Sequence, residues 1–452
     1  MRTDLPFRRV LGVMAGLPLV IPSYVAALVL LGAFGPRGLL QQLLSGPFGV
    51  DRIPDIYGLP GAVAALTLST YPYVYLLASG ALRNLDPAIE EASRSLGRSR
   101  LSSFARVTLP MLRPSLGASA LLVALYALSD FGAVSLMQYD ALTRAIFLQY
   151  RALFDRTPAA ILGLVLVVVT GILLIAEARA QRGGRRHRLG PGSARRARTV
   201  PLGRWRWPAF AYASLIVTVC LLVPLAVLGY WLSRLAGLDD GVEFPWGALG
   251  GSLLVAAIAA AVAAAASLPI AVLAHRYRSP ATVALERLAY TPNALPGIVV
   301  ALSLVFFAAR YGGPIYQTLG LLVAAYVIRF LPQALAGSSS ALGAVDVRLE
   351  EAARGLGRSR LAAWATVTVP LARSGILAGA ALVFLSTMKE LPATLLLRPI
   401  GFDTLATEVW GDTSSGSYSQ AALPAILLVV ASAPFVLLVV ERRAGRGGEV
   451  AG

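Results

Sequence analysis

The sequence has 452 residues, of which 57% are hydrophobic and only 14% are charged. A soluble domain carries about 25% charged residues, so this composition, with a mean hydropathy of +0.70, excludes an ordinary soluble protein and predicts one that crosses a membrane many times. The net charge of +17 would suggest a nucleic-acid partner in a soluble protein, but arginine-rich cytoplasmic loops explain it better here. The single cysteine, Cys220, excludes an intrachain disulfide.

The first part of the chain contains four apolar runs that are long enough to span a membrane, since a spanning helix needs about 20 such residues. Pro18 and Pro22 lie within the first run, and Asp130 lies within the third. A polar segment rich in glycine and proline separates the first two runs. The four predicted spans are residues 10–34, 58–82, 111–137 and 159–175.

An arginine-rich segment, residues 179–207, follows the fourth span. Its arginines are mixed with glycine, proline and serine, a composition that cannot build a packed core. A basic segment can bind nucleic acid, but its position beside the membrane favours the cytoplasmic side and contact with membrane lipid. We therefore predict a cytoplasmic linker and no nucleic-acid partner.

Six further apolar runs follow the linker, which gives an all-α polytopic membrane protein of about ten helices, four before the linker and six after it. Placing the linker in the cytoplasm puts both ends of the chain on that side, where the tail carries Arg442, Arg443 and Arg446. The six predicted spans are residues 210–232, 246–274, 285–309, 315–335, 371–397 and 421–440.

A polar twelve-residue segment between apolar runs occurs twice. Residues 90–101 read EEASRSLGRSRL and residues 350–361 read EEAARGLGRSRL, with ten of the twelve positions identical at an offset of 260. Six predicted spans, an even number, separate the copies, so the sequence predicts parallel repeats: an N-terminal half (1–178) and a C-terminal half (208–452). The second half places four spans before its copy and the first half only two, so we expect the N-terminal half to lack its first two spans.

Each copy has the signals of a short helix, a turn and a second helix. Asp86 can cap the first helix, Gly97 can take the left-handed conformation that ends it, and Ser99 can cap the second helix. A plain solvated loop that joins two membrane helices is the alternative, but such a loop has no reason to repeat its residues so closely. The second copy has the same signals at Asp346, Gly357 and Ser359.

At these residues the chain resembles the permease subunits of ABC importers, of the MetI-like type. In that family the motif E-E-A-x-R-x-L-G, followed here by Pro110 or Pro370, is the EAA loop, which forms a coupling helix that docks on a cytoplasmic ATPase. The resemblance implies coupling roles for Glu90, Glu91, Ala92, Gly97, Glu350, Glu351, Ala352 and Gly357.

Two acidic residues, Asp130 and Glu390, lie within predicted spans at equivalent positions. A carboxylate in a membrane is costly and marks a functional site by default. In the functional reading, the two face each other across a central path and meet hard, cationic or hydrated cargo through oxygen ligands. In the structural reading, Lys389 pairs with a carboxylate, and helix breaks at Gly132 and Pro392 are capped locally.

The surroundings of these acids extend the resemblance. Residues 130–134 (DFGAV), 389–399 (KELPATLLLRP) and 401–407 (GFDTLAT) resemble the fused two-half permeases of ferric-iron ABC importers, although permeases for thiamine, polyamines and phosphonates share the coupling loop. The resemblance implies a bacterial inner-membrane location, an ABC ATPase homodimer and a periplasmic or lipid-anchored substrate-binding protein as partners. Residues Asp130, Glu390 and Thr394 would then line the translocation path.

The sequence offers no enzymatic constellation. Its two histidines, His187 and His275, lie in basic loops. A phosphate-binding loop of the G-x-x-x-x-G-K-[ST] type needs a lysine, and the only lysine, Lys389, lacks the glycines. We therefore expect no cofactor in this chain, with ATP and magnesium bound by the partner ATPase. The rival hypothesis is an ion-driven secondary transporter or channel that uses Asp130 and Glu390, and co-purification of an ATPase would discriminate the two.

Overall fold

The computed structural model describes residues 3–36, 38–49, 52–152, 156–184, 201–237, 243–277 and 279–445. In these ranges the chain forms helices and no β-strand, so the all-α prediction is confirmed. The predicted linker falls largely in residues 185–200, which lie outside the described ranges, as does Arg446 of the tail.

In the part of the chain that the structure describes, ten apolar helical segments correspond one by one to the ten predicted spans. Eight are long and apolar enough to cross a membrane, and two are shorter: Gly297–Tyr311 and Tyr418–Pro434. The eight long segments are Ser23–Ser45, Leu59–Arg83, Arg100–Ser129, Thr157–Ala176, Gly203–Ala236, Trp246–Arg276, Leu319–Gly343 and Arg360–Met388.

Proline shortens two of the predicted spans from the N-terminal side. The run 10–34 is divided into α1 (Arg8–Met14), a 3₁₀ turn (Leu17–Val20) and α2 (Ser23–Phe34), because Pro18 and Pro22 lack the N–H groups that a continuous helix needs. The run 285–309 is divided in the same way into α14 (Pro280–Tyr290) and α15 (Gly297–Tyr311) by a 3₁₀ turn at Thr291–Ala294.

The first compact unit consists of Met1–Arg144, Val168–Asp239 and Val436–Gly452. Helix α2 is buried along almost its whole length, as expected of a helix that is apolar on every side. Its main neighbours are α4 (Leu59–Asn84), α8 (Gly132–Leu136) and α12 (Val223–Ala236). Besides α1 and α2, the helices that begin in this unit are α3 (Leu39–Phe48), α4 (Leu59–Asn84), α5 (Pro87–Ser95), α6 (Arg100–Ser103), α7 (Leu109–Ser129), α8 (Gly132–Leu136), α9 (Leu142–Ala152), α11 (Arg206–Val217) and α12 (Val223–Ala236).

Helices α11 and α12 follow the linker in sequence but belong to the first unit. The indole Nε1 of Trp231 donates to the carbonyl of Gly32 at 3.1 Å, and the rings of Phe7 and Phe210 lie 6.5 Å apart. Helix α10 (Thr157–Gly184) has residues in both units. The compact units therefore do not follow the predicted halves, 1–178 and 208–452, and the division into those halves stays a prediction of the sequence repeat.

The second compact unit consists of Ala145–Val167 and Asp240–Phe435. Its centre is the packing of α13 (Trp246–Arg276), α16 (Leu319–Gly343) and α19 (Val369–Met388). There, Ser267 and Ser338 share a hydrogen bond of 2.8 Å. A Cβ at Gly337 would lie 2.7 Å from the carbonyl oxygen of Gly375 and 2.8 Å from the Cα of Gly379, so backbones touch directly there. The helices are α13 (Trp246–Arg276), α14 (Pro280–Tyr290), α15 (Gly297–Tyr311), α16 (Leu319–Gly343), α17 (Val347–Gly355), α18 (Arg360–Ala363), α19 (Val369–Met388), α20 (Pro392–Leu397), α21 (Leu405–Ser415) and α22 (Tyr418–Gly445).

The two units repeat the same order of elements. Helices α2, α4, α5, α6, α7 and α8 correspond to α15, α16, α17, α18, α19 and α20. Within each unit the equivalent neighbours also pack together, since α4 contacts α7 as α16 contacts α19, and α2 contacts α8 as α15 contacts α20. The sequence repeat is therefore a structural repeat as well.

Candidate coupling and transport sites

Both copies of the repeated segment fold as a helical hairpin with the predicted caps. The Asp86 carboxylate accepts from the N–H of Ala88 at 2.9 Å, and Ser99 Oγ accepts from the N–H of Ser102 at 3.3 Å. These bonds satisfy backbone donors that a helix leaves open at its first turn. In the second hairpin Asp346 and Ser359 cap in the same way.

The turn of each hairpin depends on a left-handed glycine. Gly97 has a φ of 84° and Gly357 a φ of 85°, a conformation that a residue with a Cβ adopts only at a cost. The N–H of each glycine donates at 3.0 Å to the carbonyl three residues earlier, that of Arg94 or Arg354. The predicted glycine turn is confirmed in both copies.

The second arm of each hairpin continues without a break into a long helix. One π-helical turn, Phe104–Thr108 or Trp364–Thr368, joins α6 to α7 and α18 to α19. Pro110 and Pro370 lie two residues after the ends of these turns. A proline inside an α-helix clashes with the carbonyl four residues earlier. Here the residue four positions before each proline lies within the π turn, which is wider than an α-helical turn. A displacement of the hairpin can therefore pass along the spanning helix to which it is joined.

The faces of the predicted coupling residues differ. Glu91, Ala92, Glu351 and Ala352 are exposed, and Glu90 is half-buried. Glu350, by contrast, is only 4% exposed. Among the predicted coupling acids, Glu350 therefore faces the interior of its unit and not a partner, because one side of a helix in a hairpin must pack on the rest of the protein.

Small residues close the space between the two arms. In the first hairpin Ser93 and Ser103 are buried and their hydroxyl oxygens lie 3.0 Å apart. In the second hairpin the equivalent residues are Ala353 and Ala363, which are also buried. The two arms thus approach closely in both copies, through a hydrogen bond in one and through methyl groups in the other.

Exposed leucines form the tip of each hairpin, and sequence reasoning did not assign them a role in docking. Leu96 is 82% exposed and Leu356 is 87% exposed, and Leu101 and Leu361 are also largely exposed. Apolar side chains held at the end of a polar hairpin form a surface suited to contact with another protein. The sequence contained a signal for this surface, because both leucines of the first copy recur in the second copy at the offset of 260.

The third predicted span ends at Asp130, which caps a new helix. Helix α7 ends at Ser129 and α8 begins at Gly132, so the predicted break is confirmed. The Asp130 carboxylate accepts from the N–H groups of Ala133 and Val134 at 3.0 and 3.3 Å, and it also accepts from the hydroxyl of Ser23. The side chain is buried, and these neutral donors solvate its carboxylate oxygens in place of water.

Glu390 occupies the equivalent break between α19 and α20. Its carboxylate accepts from the N–H of Ala393 at 3.1 Å and forms an ion pair with Arg329 of α16. A Cβ at Gly297 would collide with the Arg329 guanidinium, so that glycine makes room for the ion pair. Sequence reasoning overlooked Arg329, although an arginine within an apolar run marks a site by the same rule that selected the acids.

Thr394 also lies at this break and is completely buried. Its hydroxyl donates to the carbonyl of Glu390 at 2.6 Å and shares a hydrogen bond of 2.6 Å with the hydroxyl of Tyr326. Local capping, the structural alternative, is thus present at both acids. Asp130 and Glu390 belong to different compact units, and their meeting across a path stays a prediction.

The comparisons with known proteins agree with these features. Residues 2–182 and 267–445 match the family described as binding-protein-dependent transport system inner membrane component. The chain is 35% identical to the Fe(3+)-transport system permease protein FbpB 2 of Haemophilus influenzae over 376 residues, which cover 82% of this chain and 74% of that protein.

Two further relatives show the range of the family. The chain is 27% identical to the ferric transport system permease protein FbpB of Actinobacillus pleuropneumoniae, over 92% of this chain and 63% of that protein. It is 35% identical to the sulfate transport system permease protein CysT of Salmonella typhimurium, over 29% of this chain and 47% of that protein. The chain thus spans less than two thirds of the length of these two relatives.

Proposed function

The chain belongs to the family of inner membrane components of binding-protein-dependent transport systems, the permeases of ABC importers, and from this premise we propose that it carries ferric iron. The observation that supports this cargo is the 35% identity, over 82% of the chain, to an Fe(3+)-transport permease. The resemblance of the segments around Asp130 and Glu390 points the same way. Membership of this family speaks against the alternative of an ion-driven carrier, because the family belongs to transport systems that depend on a binding protein.

Two partner proteins complete this proposal. An ABC ATPase binds ATP and magnesium and hydrolyses the nucleotide, while this chain contributes no cofactor. Since the two hairpins present nearly identical exposed sequences, they suit a homodimer of the ATPase, one subunit for each hairpin. A periplasmic or lipid-anchored binding protein delivers the iron. The chain lies in the bacterial inner membrane among lipid, with both ends in the cytoplasm.

The exposed side of each hairpin supports docking on the ATPase. The leucine tip supplies apolar area, and the neighbouring Glu91 or Glu351 is exposed for a charged contact. When ATP draws the ATPase subunits together, the hairpins follow, and each pulls on the long helix that continues from its second arm. Because the hairpin and that helix are continuous, the response is a rigid-body tilt that opens or closes the path.

For the translocation path we propose Asp130, Glu390 and Thr394. Carboxylate oxygens are suitable ligands for a hard cation such as ferric iron. Asp130→Asn keeps an oxygen that can accept from the α8 N–H groups, so the helix break is retained while the charge is lost. We expect this variant to insert normally and to transport at least about tenfold more slowly, the factor for about 1.4 kcal/mol. Wild-type uptake by it would leave Asp130 with the capping role alone.

The whole proposal is tested in two steps. The tagged chain is first purified from membranes in mild detergent, and the proteins that accompany it are identified. The complex is then placed in lipid vesicles with the binding protein, and ATP-dependent entry of radioactive ferric iron, sulfate and molybdate is compared. We expect an ATPase to co-purify and only ferric iron to enter. Absence of an ATPase would overturn the coupling assignment, and entry of sulfate or molybdate instead of iron would overturn the cargo.

A further inference from the structure

The inner end of α13 is bound to the second hairpin through a buried ion pair. Arg276, the last residue of α13, lies 2.5 Å from the Glu350 carboxylate, with side chains that are 20% and 5% exposed. The same oxygen of Glu350 accepts from the hydroxyl of Thr368 at 2.9 Å, in the π turn that leads into α19. One buried carboxylate thus joins three elements: α13, α17 and the start of α19.

Because Glu350 is buried, its contact with Arg276 is costly to break. A buried carboxylate without a partner is very costly, and removal of one member of a buried ion pair leaves the other uncompensated. Arg276 therefore cannot leave Glu350 freely when the hairpin moves. The two side chains must either move together or carry a large energetic penalty, which ties the position of α17 to that of α13.

The residue after Arg276 holds the other arm of the hairpin. The Arg360 guanidinium lies over the Tyr277 ring, 5.5 Å from its centroid, and donates a hydrogen bond to the Tyr277 hydroxyl. Arg360 begins α18, the arm that runs on into α19. Two consecutive residues at the end of α13 thus contact the two arms of the same hairpin. Arg276 binds the arm before the Gly357 turn, and Tyr277 binds the arm after it.

The opposite end of α13 touches the segment that follows the Glu390 break. Ser252 Oγ accepts from the N–H of Leu405 at 2.8 Å, and a Cβ at Gly251 would lie 2.5 Å from the carbonyl of Asp403. Ser252 and Arg276 are separated by about 36 Å of helix at 1.5 Å per residue. Helix α13 therefore connects the hairpin with the distant segment 402–405.

We propose that Arg276 and Tyr277 form a positioning clamp through which α13 moves with the second hairpin. The inference rests on the proposed function, in which that hairpin docks on the ATPase. The clamp gives the hairpin two connections to the far side of the unit: α19, which continues its second arm, and α13, which is held by side chains alone. Loss of the clamp leaves the hairpin able to bind the ATPase but unable to carry α13 with it.

Charge exchange tests the clamp. Arg276→Gln, Glu350→Gln and the double variant Arg276→Glu with Glu350→Arg are each co-expressed with the ATPase, and Arg287→Gln on the neighbouring α14 serves as the matched control. Three quantities are measured: the amount of ATPase that co-purifies, the stimulation of ATP hydrolysis by the binding protein, and the uptake per ATP hydrolysed. Co-purification of the ATPase reports docking. Stimulation of ATP hydrolysis and uptake per ATP report how movement is transmitted between the hairpin and the rest of the unit.

We expect the single variants to retain the ATPase and to lose stimulation and uptake per ATP by at least about tenfold, the factor for about 1.4 kcal/mol. The exchanged pair should recover most of that loss, because opposite charges again face each other, and the control should match the wild type. If Arg276→Gln fails to insert, Glu350→Gln still decides, since a neutral amide can be buried and can accept from Thr368.

Two results would overturn the clamp: single variants with wild-type stimulation and uptake per ATP, or an exchanged pair no better than Arg276→Gln at equal ATPase content. An error in the assignment of iron as the cargo would give a different experimental result. A wild-type complex that is stimulated by its binding protein but takes up no iron contradicts the cargo, and the clamp is then judged from stimulation alone.

Discussion

The glycine turn of the second hairpin allows a prediction whose size follows from the structure. Gly357 has a φ of 85°, and no atom beyond its own chain neighbours lies within 4 Å of the place where its Cβ would be. Gly357→Ala therefore meets no steric obstacle, and its whole cost is the left-handed conformation, about 1–2 kcal/mol. A cost of this size lowers the ratio of the native turn to its other conformations by a factor of about 5–30.

Gly355→Ala is the matched control for this change. Gly355 is the last residue of α17, has no positive φ and also has open space around its Cβ position. The first hairpin carries a side chain, Ser95, at the equivalent place. Alanine there should favour the helix by about 0.5–1 kcal/mol, so a methyl group on the hairpin is not harmful in itself.

The assay is the affinity of the purified ATPase for the permease in lipid nanodiscs. We expect Gly357→Ala to weaken binding by up to about 5–30-fold and Gly355→Ala to leave it unchanged or slightly tighter. Gly357→Pro should weaken it further, because proline cannot adopt a positive φ and lacks the N–H that donates to Arg354. If Gly357→Ala binds as tightly as the wild type, the turn does not present the docking surface, and the reasoning fails.

Three further expectations concern docking, packing and orientation. Glu351→Arg reverses an exposed charge on the hairpin and should reduce ATPase co-purification without affecting membrane insertion; undiminished co-purification speaks against a docking role. Gly337→Leu forces apart backbones in contact and should lower the thermal unfolding midpoint in detergent, because overpacking costs about 1–3 kcal/mol; an unchanged midpoint contradicts that packing. In a chain with its native cysteine replaced, single cysteines at Ser193 and Ser45 should react from the cytoplasmic and the outer side respectively, and the reverse pattern would invert the topology.

Several features of this protein could be predicted from the sequence because they depend on local interactions. The number and order of the apolar helices, the caps of both hairpins, the left-handed glycines and the helix breaks at Asp130 and Glu390 all depend on residues a few positions apart. Backbone hydrogen bonds and φ preferences act over that distance. The close duplication of the polar segment, with ten of twelve positions identical, strengthened each of these predictions, since a signal found twice is harder to attribute to chance.

Only the tertiary structure decided which side chains meet across the fold. Glu350 and Glu351 are neighbours in one motif, yet Glu350 pairs with Arg276 inside the unit while Glu351 is exposed. Likewise Glu390 pairs with Arg329, and α12 packs on α2 in the first unit although it follows the linker. These contacts depend on which helix faces pack together, and the sequence of a membrane helix specifies that weakly, because its lipid-facing and protein-facing sides are both apolar.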